Sequence, residues 1–299
     1  SDERRMPSWR PRGGKAVARA VALRSADDER ARSPDPAPAC GPGGSGAVRS
    51  SAGGPEAAGG AAPVTGGDLA ASARGAAEPL MVATGISKRF RRTLALDRVD
   101  ISIGEGECLA LLGPNGSGKT TLLSILAGVS RPTAGSISWR PDAVARLGWV
   151  PHDPALYARL TVRENLRLFA ALERRGDPRA VAEDLLDRAD LRAFAGRLAA
   201  RLSTGTRQRL NIAVALAGEP SVLLLDEPTA ALSPDQRYRL WHWLDELRTV
   251  DRLAVLFSTQ SVEEAVAHGD RLQILADGRC VFVGDAAELV TRHGGGPGP

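Results

Sequence analysis

Short apolar runs and helical patterns alternate along the chain from Met81 onward. Short apolar runs bounded by turn residues are typical of β-strands, and the unbroken run Val222–Leu225 is typical of a strand buried on both faces. The turn Gly104-Glu105-Gly106 separates two of these runs. The predicted strands are Val99–Ile103, Cys108–Leu112, Ser136–Trp139, Leu147–Val150, Val222–Leu225 and Leu253–Phe257.

Helical segments separate many of these runs. Thr161-Val-Arg-Glu164 has the capping-box pattern that opens a helix, and Ser233 followed by Pro234 predicts a second helix start. Strands that alternate with helices predict a doubly wound α/β domain. The weak strand pattern between Leu160 and Leu202 predicts a small helical insert. The predicted helices are Lys119–Ala127, Thr161 to about Glu173, about Arg179–Arg188, and Pro234 to about Leu247.

Composition separates residues 1–80 from the rest of the chain. Gly, Pro and Ala supply 41 of these 80 residues, and large apolar residues are few. Such a segment cannot bury enough apolar surface to offset the entropy lost on ordering. We therefore predict a disordered extension over residues 1–80, ahead of a natural start near Met81, then a domain over residues 81–291 and a disordered tail over residues 292–299.

Charge, cysteine and hydropathy patterns exclude several classes of protein. The net charge of +4 divides equally between residues 1–80 and the remainder, so neither part predicts a strongly basic nucleic-acid surface. Three scattered cysteines exclude a disulfide framework and a cysteine-rich zinc site. The sequence has no apolar run approaching 18 residues, which argues against a membrane span.

The segment from Gly113 to Thr120 fits the phosphate-binding pattern of glycine, four residues and then Gly-Lys-Ser/Thr. Its glycines let backbone N–H groups converge on phosphate oxygens at a helix N-terminus. Lys119 can reach the β- and γ-phosphates, and the Thr120 hydroxyl can ligate Mg²⁺. The predicted nucleotide-binding residues here are Gly113, Pro114, Asn115, Gly116, Ser117, Gly118, Lys119, Thr120 and the adjacent Thr121.

Two acids end the buried strand Val222–Leu225. Asp226 is predicted to lie near the metal of the phosphate loop, and Glu227 is placed to polarise an attacking water. Acid pairs after strands are common by themselves. Together with the phosphate loop, this pair predicts ATP hydrolysis.

A short segment, Leu202-Ser-Thr-Gly-Thr-Arg-Gln-Arg-Leu210, precedes Leu225-Asp-Glu-Pro-Thr229. Together with the phosphate loop, these two segments resemble the motifs of the nucleotide-binding subunit of ATP-binding-cassette (ABC) transporters. The resemblance covers the chain from about Met81 to Val290. The resemblance implies a P-loop NTPase fold with a RecA-like core, an antiparallel β subdomain and a helical subdomain near residues 153–204. It also implies ATP and Mg²⁺ as cofactors.

The resemblance further implies roles for individual residues. Phe90 stands where an aromatic ring stacks on adenine, although a core position is the alternative. Ser203 and Gly205 fall in the signature motif, which in this family binds the γ-phosphate held by the opposite subunit of a head-to-tail dimer. Pro151 to about Leu160 fits the nucleotide-sensing loop that touches a membrane permease. The implied location is therefore peripheral, on the cytoplasmic face of the membrane.

Four motifs depart from the family pattern. His152 replaces the glutamine of the sensing loop, where it is a candidate metal ligand and catalytic residue. Gln260 replaces the switch histidine and is also a candidate catalytic residue. Two readings stay open: variation with activity kept, or a slow or regulatory ATPase. The remaining departures are Thr204 and Thr206 in the signature and Ser233 after the acidic strand.

The run from Gly148 to Leu166 resembles the haem-exporter ATPases of cytochrome c maturation. The expected lack of a domain after about Val290 suits that subgroup and suits drug-efflux or polysaccharide-export ATPases equally. An exporter is therefore the favoured direction, although substrate choice rests with a membrane subunit. A soluble ABC protein of translation or DNA repair is disfavoured by the single cassette and the lack of a long coiled-coil insertion. The dimer partner is either a second copy or a related subunit.

Overall fold

The computed structural model describes residues 78–140, 146–174 and 176–293, so most of the predicted extension and residues 294–299 of the predicted tail lie outside it. The strands are β1 Met81–Phe90, β2 Thr93–Ile103, β3 Cys108–Leu112, β4 Ala134–Trp139, β5 Leu147–Val150, β6 Val222–Asp226, β7 Ala254–Thr259, β8 Arg271–Ala276 and β9 Arg279–Gly284. The helices are α1 Lys119–Leu126, α2 Val162–Glu173, α3 Pro178–Arg188, α4 Thr204–Leu216, α5 Pro234–Asp251, α6 Val262–His268 and α7 Ala286–His293.

The strands form two sheets. A three-stranded antiparallel sheet has the order β2-β1-β4. A six-stranded sheet has the order β5-β6-β7-β3-β8-β9, in which β9 alone runs antiparallel to its neighbour. The predicted α/β architecture with an antiparallel β subdomain is confirmed.

The larger sheet separates two hydrophobic cores. Leu223 and Leu225 of β6 belong to one core, whereas Val222 and Leu224 belong to the other, because successive strand residues point to opposite faces. Helix α1 and the antiparallel sheet supply the second core, and the helical insert and α5 supply the first. Burial on both faces explains why β6 is apolar without alternation.

The helical insert forms where the sequence predicted it. Thr161 caps α2: its hydroxyl accepts from the Glu164 N–H, and the Glu164 carboxylate accepts from the Thr161 N–H. The bond from the Thr161 backbone is the main cause of a lowered pKa at Glu164. Helix α3 follows, and two short 3₁₀ turns, Arg192–Phe194 and Ala199–Arg201, complete the insert.

Several predicted boundaries need correction. Leu80, placed in the extension by composition, is buried, and its N–H donates to the Ile103 carbonyl at 2.8 Å. Helix α7 continues to His293, two residues past the predicted domain end at residue 291. Helix α5 continues past Leu247 to Asp251. Residue propensity is a weak guide to the ends of helices and strands, because tertiary packing decides where each element stops.

The two cysteines in the described part of the chain, Cys108 and Cys280, are free and buried. Burial raises the pKa of Cys108 to about 12 and that of Cys280 to about 11, so neither is a reactive thiolate near neutral pH. Within the same residues, no helix has the length and apolar character needed to cross a bilayer.

Candidate active site

The phosphate loop connects the end of β3 to the start of α1. The Gly113 N–H donates to the Thr259 carbonyl of the neighbouring strand at 3.3 Å, which ties the loop to the sheet. Gly118 has φ 104°, and a Cβ there would lie 2.7 Å from the Ala95 carbonyl oxygen. Only glycine therefore fits where the loop turns into the helix. The backbone N–H groups of the first turn of α1 are left for a ligand.

Lys119 is held in place by backbone carbonyl groups of the phosphate loop. Its side chain is only 5% exposed, and Nζ donates to the carbonyl oxygens of Gly113 at 2.7 Å and Pro114 at 3.1 Å. The same Nζ lies 3.7 Å from Oε1 of Glu227. The ammonium group thus stands between the phosphate loop and the acidic strand end.

Asp226 offers one free oxygen at the end of β6. Ser258 Oγ donates to Oδ1 at 2.6 Å, and Ser258 Oγ also accepts from the Glu227 N–H at 2.9 Å. Oδ2 is buried, and among the described residues no group forms a hydrogen bond with it. Because a buried carboxylate oxygen without a partner is costly, this atom suits a cation.

The donors near Asp226 fit Mg²⁺. The described residues contain no group of three His, Cys, Asp or Glu side chains able to hold a metal. Mg²⁺ does not require one, because it is usually held by one or two carboxylates, water and substrate phosphates. Asp226 and the exposed Thr120 hydroxyl are the residues that would hold the ion.

Glu227 and Gln260 meet across the cleft. The Gln260 amide nitrogen donates to Glu227 Oε1 at 2.8 Å. Glu227 has a left-handed backbone, φ 48°, which turns the chain out of β6. The sequence predicted both residues in the site, and the structure brings them together.

The signature residues lie at the start of α4. Ser203 caps this helix, and its Oγ lies 2.8 Å from Oγ1 of Thr206. Gly205 is buried, and a Cβ at this position would lie 2.6 Å from Cδ of Gln236. Ser203 itself is exposed, so this residue and the N-terminus of α4 lie at the surface.

Phe90 and His152 both lie on the surface. Phe90 is 50% exposed at the end of β1, and Lys88 Nζ lies 4.9 Å from its ring centroid. The alternative that Phe90 is a core residue is therefore wrong. His152 is exposed in the segment after β5.

Three further residues near the site escaped the sequence analysis. Ser258 bonds the acidic strand, Thr259 accepts the Gly113 N–H through its carbonyl, and Glu264 accepts from Thr259 Oγ1 at 2.6 Å. The available signal was the position of Ser258 and Thr259 at the carboxyl end of a buried strand, where α/β proteins place ligands.

A model of the ABC transporter family matches residues 96–230. The daunorubicin resistance ATP-binding protein DrrA3 of Streptomyces coeruleorubidus is 37% identical over 231 residues, which cover 73% of this chain and 72% of that protein. The chain belongs to the ABC transporter family. The predictions of an ABC-type ATPase subunit and of an ATP-binding cassette are thereby confirmed at the level of the family.

Other relatives of this ABC subunit are named as sulfate/thiosulfate import ATP-binding proteins, CysA. That of Photorhabdus laumondii is 39% identical over 217 residues, covering 68% of this chain and 60% of the relative. That of Bordetella parapertussis is 41% identical over 221 residues, covering 70% and 62%. The chain thus spans about three fifths of the length of these CysA relatives.

Solved ABC cassettes share the fold. CbiO1 from Clostridium perfringens, part of the ABC transporter complex cbiONQ, has a TM-score of 0.64 and 25% identity over 72% of this chain and 92% of that one. The dimeric cassette MJ0796 has a TM-score of 0.62 and 28% identity over 69% and 98%.

Proposed function

We propose that this chain binds MgATP, forms a head-to-tail dimer on it, and hydrolyses it to drive a separate membrane permease. The observation that carries the proposal is the arrangement around Glu227. Lys119 Nζ and Gln260 Nε2 both approach Glu227 Oε1, while Asp226 Oδ2 beside it is free for a cation. Phosphate binding, metal binding and water activation are therefore available in one cleft.

Each residue has a separate task in the proposed reaction. Backbone N–H groups of the phosphate loop and Lys119 orient the β- and γ-phosphates in line with an attacking water. Glu227 accepts the proton of that water, and Gln260 holds the carboxylate toward it. Asp226 and Thr120 would hold Mg²⁺, which would supply positive charge against the charge that develops on the transferring phosphoryl group.

Dimerisation would complete the site. The exposed residue Ser203 and the N-terminus of α4 would face the γ-phosphate bound by the other subunit. The side chain of Gln236 packs closely against Gly205 and so supports the N-terminal end of α4. The partner is a second copy or a related subunit, and the permease would meet the segment after β5, where Tyr157 is 41% exposed.

The finer part of the proposal is export, from a peripheral position on the cytoplasmic face of the membrane. Its support is the resemblance of residues 148–166 to haem-exporter ATPases and the likeness to DrrA3, a daunorubicin resistance protein. The CysA relatives, named for import, are the competing comparison. Reconstitution with the permease in sealed vesicles decides the direction of transport. When ATP is supplied on one face of the membrane only, an exporter accumulates substrate on the opposite side and an importer accumulates it on the same side.

The test of the whole proposal is ATP hydrolysis and dimerisation. We expect steady-state ATPase activity that rises when the membrane partner is present, and ATP-dependent dimers in size exclusion. A chain that binds ATP but turns it over no faster with its permease would contradict the transport role.

A second candidate, a regulatory module that barely hydrolyses ATP, is favoured by Gln260. An amide can donate a hydrogen bond but cannot carry the charge of an imidazolium, so it stabilises the transferring phosphoryl group less. Here its donor is also directed at Oε1 of Glu227, the carboxylate proposed to accept a proton.

Gln260→His distinguishes these two candidates. For a slow but working ATPase, we expect kcat to rise by roughly tenfold or less, because a histidine can donate to the γ-phosphate and carry charge. The measurement is kcat for the wild type, His152→Gln, Gln260→His and the double variant. A fall in kcat with a large coupling between the two positions would show that His152 and Gln260 work as an adapted pair.

Phe90→Ala should weaken ATP binding by about 1–3 kcal/mol, the usual contribution of an aromatic side chain stacked on a base. The ring is half exposed, and Lys88 Nζ lies over it, 4.9 Å from its centroid. Titration with a fluorescent ATP analogue measures the change. Tyr238→Ala, which removes another exposed aromatic ring from α5, is the matched control. Equal affinities in the wild type and Phe90→Ala would remove the stacking role.

A further inference from the structure

The Glu264 carboxylate accepts hydrogen bonds from three segments of the chain. Thr229 Oγ1 and Trp241 Nε1 donate to Oε1, the indole at 3.1 Å. Thr259 Oγ1 donates to Oε2 at 2.6 Å. All three donor residues are buried, with exposures of 3–4%. One side chain therefore joins the loop after β6, helix α5 and the end of β7.

A carboxylate is well suited to this position. An indole N–H can only donate, and a carboxylate can accept at both oxygens. The Thr259 hydroxyl already accepts from the Ser261 N–H at 3.1 Å, so donating to Glu264 uses its proton. The backbone N–H of Glu264 donates to Ser261 Oγ at 3.1 Å, which fixes the start of α6. Without the carboxylate, three buried donors would lose an acceptor, which is costly.

The two threonines flank the proposed catalytic pair. Thr229 lies two residues after Glu227, and Thr259 lies immediately before Gln260. The hydrogen bond of 2.8 Å between Gln260 and Glu227 spans the same two segments. Glu264 thus connects, through hydrogen bonds, the two segments whose side chains meet in the cleft.

We infer that Glu264 is a positioning residue for hydrolysis. It sets the separation of Glu227 and Gln260 through its hydrogen bonds with Thr229 and Thr259. The hydrogen bonds of Glu264 described above are all made with other protein groups. The kinetic part of this inference rests on the proposed function, because it presupposes ATP turnover. The contact between the two segments exists independently of turnover.

The first test compares Glu264→Ala and Glu264→Gln with Glu263→Ala. Glu263 is the neighbouring exposed carboxylate on α6, whose Oε2 accepts from Ser261 Oγ at 2.8 Å. We expect Glu264→Ala to lower kcat about tenfold or more while KM for ATP changes little, since small misplacements near reacting groups are costly and the phosphate loop is untouched. Glu264→Gln should retain more activity, because its remaining oxygen can accept from Thr229 and Trp241. Glu263→Ala should match the wild type.

The second test is a double-variant cycle with Gln260→Ala. If Glu264 acts through the Glu227–Gln260 pair, the loss of kcat caused by Glu264→Ala should shrink several-fold in the Gln260→Ala background. An equally large loss of kcat in the Gln260→Ala background would overturn the inference. The inference would also fail if dividing kcat by the fraction of protein that binds ATP restored the wild-type value, because unfolding alone would then explain the loss.

Amide hydrogen exchange separates this inference from the proposed function. In the ATP-free chain, Glu264→Ala should speed exchange in both segments, residues 226–232 and 258–262, and Glu263→Ala should not. If the wild type fails to hydrolyse ATP, the proposed function fails, and exchange still decides whether Glu264 joins the segments. Unchanged exchange in both segments would overturn the inference even in an active enzyme.

Discussion

Glu227→Gln should lower kcat by at least about a hundredfold while leaving ATP affinity unchanged, because removal of a general base costs on this scale. The amide keeps the shape of the side chain and an oxygen for the Lys119 and Gln260 donors, but it cannot take a proton from water. ATP should then persist in the site, and the variant should elute as an ATP-bound dimer in size exclusion.

Glu246→Gln is the control for this variant, since Glu246 lies on α5 with a 61% exposed side chain that pairs with His242. It should match the wild type in both measurements. A Glu227→Gln chain that turns ATP over normally would assign the base elsewhere. A monomer at saturating ATP would count against the head-to-tail dimer of identical subunits.

Asp226→Asn should remove Mg²⁺-dependent hydrolysis, with a loss of at least about a hundredfold in kcat, since metal stabilisation of the transferring phosphoryl group contributes several kcal/mol. An amide oxygen is neutral and a weaker ligand for a hard cation. Its oxygen can still accept from Ser258 Oγ, so the strand end should keep its geometry. The measurement is ATPase activity as a function of Mg²⁺ concentration.

Asp184→Asn provides the comparison, because Asp184 is a 63% exposed aspartate on α3. Thermal melting of both variants without ATP checks that the fold survives. If Asp226→Asn keeps the wild-type dependence on Mg²⁺, the free Oδ2 atom has another purpose and the metal is held without it.

The parts of the site that are contiguous in sequence were predictable. The phosphate loop and the acidic pair each consist of residues at a fixed spacing after a single strand. Local backbone geometry is therefore enough to place their side chains. The capping box at Thr161 was predictable for the same reason, because both of its hydrogen bonds close within one helical turn.

Contacts between distant segments were not predictable in this way. Two of the donors to Glu264, Thr229 and Trp241, lie 35 and 23 residues away in sequence, and tertiary packing brings them to it. Strand β1 also escaped detection. Its pairing with β2 shifts register between Ala83 and Ile86, so a regular period of two is interrupted. Tertiary context decided both features.

Strand order also sets the distance between the two halves of the site. In the larger sheet, β7 lies between β3, which carries the phosphate loop, and β6, which carries the acids. Two strand spacings amount to about 9–10 Å. Side chains close most of this gap, because Lys119 Nζ on the β3 side lies 3.7 Å from Glu227 Oε1 on the β6 side. A phosphate group bound beside Lys119 would therefore lie within reach of the acids of β6, and the ligand need not extend across the full width of β7.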